Sequence, residues 1–124
     1  MSWIVHHIEW VLIVSGTVTF GMALMAIAPR FVSRFAFGET ADGALGNLIS
    51  RSWGEMVAAS GLLLIYAAYH AEARLPILLY SIAGKTGFIA LVLSDEQFRR
   101  KRAMQAALAD AIMVALFAWY LRAA

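Results

Sequence analysis

Four nearly unbroken apolar stretches, around residues 3–28, 47–70, 75–94 and 103–121, limit what this chain can become. Each is close to the ~20 residues that a helix needs to cross ~30 Å of hydrocarbon. Helices and closed barrels alone satisfy every backbone polar group without water, and runs this long and continuous suit helices. Composition points the same way. The 124 residues are 62% hydrophobic and 15% charged, with a mean hydropathy of +0.74. A soluble domain usually carries about a quarter charged residues to coat its surface. The expected fold is an all-α integral membrane protein, one domain over residues 1–124, built as an antiparallel four-helix bundle.

The first stretch starts with His6, His7 and Glu9 where a cleavable signal peptide would carry Lys or Arg, so it reads as a retained span. It is expected to end near Pro29, because proline disfavours helix in the residue before it. Residues 29–45 form the longest polar connection. There Arg30 and Arg34 alternate with Phe31, Phe35 and Phe37, which suits an interfacial turn, and residues 38–43 read as a loop. A short turn over 72–76 leads into the third stretch, and the charged run 95–102 separates the third from the fourth.

Four spans place both termini on one side. The loops on the other side hold Arg30, Arg34, Arg99, Arg100, Lys101 and Arg102, against Arg74 and Arg122 on the termini side. Basic loops stay in the cytoplasm, so both termini are expected outside it, in a multi-pass protein of a cell's inner membrane. The 99–102 cluster is sufficiently explained by this topogenic, headgroup-facing role. It gives no reason to expect a nucleic-acid partner; the bilayer is the expected one.

Charges inside the apolar stretches are the candidate functional residues. Arg51 and Glu55 lie one helical turn apart in the second stretch, Lys85 lies in the third and Asp110 in the fourth. At 1.5 Å per residue, Lys85 lies roughly 13 Å, Asp110 about 10 Å and Glu55 about 12 Å from the cytoplasmic ends of their helices. A charge at bilayer depth is costly unless paired or solvated, so the four are expected to face the bundle interior as one neutral set. Two roles fit such a set. It could fix helix register and rotation alone, or it could floor a polar cavity that holds a ligand or relays protons. Small residues beside the charges (Gly54, Ala58, Gly61, Gly84, Gly87, Ala106, Ala107, Ala109) suggest close helix packing around them.

Other chemistry finds less support. His6, His7, Glu9, His70 and Glu72 gather towards the termini side, and His6 and His70 are the candidate metal ligands, but their spacing is not that of a metal site. Adjacent histidines on a helix point about 100° apart, so no tightly held metal or haem is expected. The chain has no cysteine, which excludes disulfides, thiolate metal sites, iron–sulfur clusters and thiol catalysis. Gly84-Lys85-Thr86 mimics the end of a phosphate-binding loop, but Leu79 stands where its first glycine belongs.

The motif Ser50-Arg51-Ser52-Trp53-Gly54 followed by Ser60-Gly61-Leu62-Leu63, the third-stretch run Ala83-Gly84-Lys85-Thr86-Gly87, and Asp110 in the last stretch resemble the DoxX-like superfamily of small four-helix bacterial membrane proteins. That resemblance implies four helices with a polar cavity at Arg51, Glu55, Lys85 and Asp110. Members have been associated with quinone-linked oxidation of sulfur compounds, and distant relatives with receptor assembly and lipophilic ligands. They often carry arginine where this chain has Lys85. The expected function is therefore binding of a lipophilic, quinone-like molecule in a charge-lined cavity, or service as a redox or assembly partner. Two alternatives stand beside it: a proton-coupled transporter acting as a homodimer, with Glu55 or Asp110 as carrier, and an accessory subunit within a larger membrane complex. Catalysis stays open, with Glu55 and Asp110 as candidate acid and base.

Overall fold

A computed structural model describes residues 3–37, 43–96 and 103–123, and all of its regular elements are helical. They are α1 (Trp3–Phe20), α2 (Ala23–Ile27), α3 (Pro29–Phe37), α4 (Gly43–Tyr69), a 3-10 turn (Ala71–Ala73), α5 (Arg74–Ser94) and α6 (Ala103–Ala123). Four helical stretches are long and apolar enough to cross a membrane: Trp3–Ile27, Gly43–Tyr69, Ala71–Ser94 and Ala103–Ala123.

The expected boundaries shift at the prolines and at one glycine. The first span breaks twice, at the Gly21–Met22 turn and again at Ala28, whose φ of −131° and ψ of 67° leave the helical region. Pro29 does not merely end a helix; it opens α3. Its missing N–H falls where a helix has an orphan donor anyway. The expected interfacial turn is thus a helix, with Val32 and Ser33 buried and Arg30, Phe31, Arg34 and Phe35 exposed. Pro76 likewise sits in the first turn of α5, where no intrahelical donor is lost. α4 begins four residues earlier than expected, at Gly43, whose φ of +84° only glycine adopts freely. The expected loop at 38–43 falls, apart from Gly43, outside the described residues, and so does the basic cluster at 99–102.

Helix pairing follows buried stripes spaced by three or four residues. On α1 the stripe is Ile4, Ile8, Leu12, Ser15 and Thr19; on α6 it is Ala103, Ala107, the partly buried Asp110, Met113 and Phe117. α1 packs chiefly on α4, α5 chiefly on α6, and α1 also meets α6. The α1–α4 seam is the tightest. A Cβ added at Gly16 would come within 2.6 Å of the Gly61 carbonyl oxygen, and one at Gly61 within 2.5 Å of the Phe20 nitrogen. Gly54 meets the Met25 side chain just as closely. Only glycine permits this backbone approach.

The main core joins Ile4, Ile8, Leu12, Leu64, Leu78 and Phe117 towards one end of the molecule. A smaller cluster of Val92, Ala103 and Ala107, with Phe88 and Ile89 against it, closes α5 on α6 at the other. Between the two the helices part.

Candidate functional site

The gap between the two clusters is a cavity of about 350 Å³ that receives side chains from all four apolar stretches. On α4 its wall is Trp53, Met56, Val57 and Ser60, an i, i+3, i+4, i+7 stripe. α5 contributes Tyr80, Ser81, Gly84, Lys85 and Phe88; α6 contributes Ala106, Ala109, Asp110 and Met113; Thr19 and Met22 close it from the first span. Small side chains leave the room. A Cβ added at Gly84 would meet nothing within 4 Å, so this glycine marks vacant space in the wall.

One ion pair crosses this space. Lys85 Nζ lies 3.0 Å from Asp110 Oδ1 and also donates to Thr19 Oγ1 at 3.3 Å, and the Thr19 hydroxyl points to Met113 Sδ at 3.9 Å. Both charged side chains are partly covered, with 11% exposure for Lys85 and 22% for Asp110. The pair joins α5 to α6 and ties both to the first span. Its net charge is zero, so the surrounding apolar wall need not hold a lone ion.

Of the four residues expected to form one set, the structure brings Lys85 and Asp110 together and leaves Arg51 and Glu55 elsewhere. Both lie off the cavity stripe of α4; Glu55 is rotated about 100° from Met56 and about 200° from Trp53. Arg51 is exposed and donates from Nε to the Ala26 carbonyl at 2.8 Å, holding the last turn of α2 just before the break at Ala28. Glu55 is exposed and makes no ion pair with Arg51 among the described residues. The acid–base pairing of Glu55 with Asp110 is therefore not assembled. The expected tight packing around the charges is also redistributed. Gly54, Ala58 and Gly61 do sit in a close seam, whereas Gly84 and Gly87 have open space beside them.

The candidate metal ligands are likewise dispersed. His7 is stacked on Trp3, with its Nδ1–H donating to the Trp3 carbonyl at 2.8 Å, and His70 is stacked on Tyr66 in the same way at 3.1 Å. His6 is exposed, and no group of three or more His, Asp or Glu side chains forms among the described residues.

Arg74 is the polar residue that sequence reasoning undervalued. It donates from Nε to the Ala67 carbonyl at 2.8 Å and from Nη2 to the Ala68 carbonyl at 2.9 Å, with Tyr120 Oη at 3.5 Å and Glu9 at 4.0 Å. These carbonyls belong to the last turn of α4, which lacks intrahelical donors. An arginine just beyond an apolar stretch and two residues before a proline was the available signal for this cap.

No protein-family model, no curated protein and no solved structure matches the chain. The functional reading rests on the site itself.

Proposed function

We propose that this chain is a DoxX-like integral protein of the inner membrane, an antiparallel four-helix bundle whose cavity binds a lipophilic, quinone-like small molecule. The observation that carries the reading is the cavity itself. Its volume of about 350 Å³ lies within the ~300–1,000 Å³ usual for small-molecule sites, and its wall is apolar with a few convergent polar groups. The surface supports the membrane assignment: Trp10, Val14, Leu62, Leu91 and Ile112 are more than half exposed, which suits lipid and would be an aggregation hazard in water. Mass spectrometry of small molecules copurifying with the protein tests the binding. One lipophilic species should be enriched with wild-type protein and lost with Gly84→Leu, which fills the vacant wall. Equal recovery from both proteins would overturn the reading.

Proton-coupled transport is a second reading, supported by one feature: of the two candidate carriers, Asp110 lines the cavity and Glu55 does not. Proton flux through reconstituted vesicles, abolished by Asp110→Asn, would favour it over binding alone. Service as an assembly partner rests on no feature of the site.

A further inference from the structure

The cavity contains a polar group with nothing to bind. Ser81 is 95% buried, lines the wall one turn before Lys85, and its hydroxyl has no hydrogen-bond partner among the described residues. Hydroxyls in apolar helices normally satisfy themselves on the carbonyl three or four residues back. Other hydroxyls of this chain do so: Thr17 donates to Ile13, Ser60 to Val57 and Ser94 to Leu91. Ser81 departs from that pattern at the cavity wall. Beside it, among the described residues, the Lys85 ammonium has three donors and two partners, Asp110 and Thr19, and one of the two Asp110 oxygens is engaged. The groups left to a ligand are thus the Ser81 hydroxyl and one Lys85 N–H, a turn apart on α5, and the second Asp110 oxygen facing them from α6.

Charge narrows what can use them. Lys85 is already neutralised by Asp110 at 3.0 Å. A ligand carboxylate would set a second negative charge beside Asp110, and a ligand amine a second positive charge beside Lys85, each uncompensated in an apolar wall. Resting on the binding function proposed above, we infer that the site selects a neutral amphiphile, with a ketone or hydroxyl oxygen seated on Ser81 and Lys85 and its apolar body against Trp53, Phe88 and Met113. Ser81 is then a specificity-determining residue.

Matched ten-carbon probes test this: 2-decanone, 1-decanol, decane, decanoate and decylamine, each titrated against the protein in lipid nanodiscs with thermal unfolding as the readout. 2-Decanone and 1-decanol should raise Tm by mass action, and the other three should not. Ser81→Ala should weaken 2-decanone binding about fivefold, the loss of one neutral hydrogen bond, and Ser81→Thr should retain it. Without any probe, Ser81→Ala should unfold no earlier than wild type, since no protein partner is lost; earlier unfolding would show a structural role and overturn the assignment. Decane binding as tightly as 2-decanone, with both lost in Gly84→Leu, would overturn the polar selection and leave the binding function standing. Preference for decanoate or decylamine would overturn neutrality. Probe effects that Gly84→Leu leaves unchanged would place the probes in the bilayer, and both proposals would fall.

Discussion

Lys85 and Asp110 are the residues whose separate loss should be felt more than their joint loss. Removing either leaves the other charge partly covered in an apolar wall. Breaking a buried pair typically costs ~3–5 kcal/mol, and the remaining exposure of both side chains puts this pair at the lower end of that range. Lys85→Met and Asp110→Leu should each lower stability in denaturant titrations, and the double variant should recover most of the loss. Additive losses would mean that the two side chains do not meet. Glu55→Gln provides the contrast. An exposed side chain with no ion pair among the described residues should change stability by less than ~0.5 kcal/mol, despite its apolar sequence neighbourhood.

Among the elements, the α1–α4 seam and the cavity wall should respond oppositely to the same kind of substitution. Gly61→Leu forces a side chain against the Phe20 and Gly16 backbones, which cannot move aside as a flexible side chain would. Overpacking of this kind costs ~1–3 kcal/mol or more, so the seam should part and α1 amides should lose hydrogen-exchange protection. Gly84→Leu meets open space, and replacing a helical glycine also removes a penalty of ~1 kcal/mol. It should leave Tm unchanged or raised. A destabilised Gly84→Leu protein would show that α5 packs more tightly here than the cavity implies. Arg74→Met tests the cap on α4. It leaves the Ala67 and Ala68 carbonyls without their charged donor, a loss of roughly 1.5–3 kcal/mol. Exchange at the last turn of α4 should rise before the rest of the helix is affected.

For the whole molecule, the expected orientation rests on six basic residues after the first and third spans against two on the expected termini side. A reporter fused after Ala124 should be active only outside the cytoplasm, and a cytoplasmic signal would reverse the proposed orientation. The number of candidate spans, the helical class and the approximate span limits were legible in the sequence because hydrophobic length is a property of the chain alone. The start of α3 was less legible, whereas α5 begins within one residue of the expected position. Proline signals a boundary, but whether it ends one helix or begins the next depends on whether the residues after it can continue as helix. The depth of the charges could be counted by residue, yet depth did not assign partners. A helix turns by about 100° and rises only 1.5 Å per residue, so neighbouring positions nearly share a level and face different ways. Met56 and Ser60 face the cavity and Glu55 does not, because rotation of α4 is fixed by its contacts with the first span, Gly61 against Gly16 and Phe20 of α1 and Gly54 against Met22 and Met25. The sequence determined by itself that this chain forms four apolar helices with few charges to hide. Tertiary structure decided which charges pair, which buried serine lacks a partner among the described residues and where space remains, because those depend on how helices are turned and seated against one another.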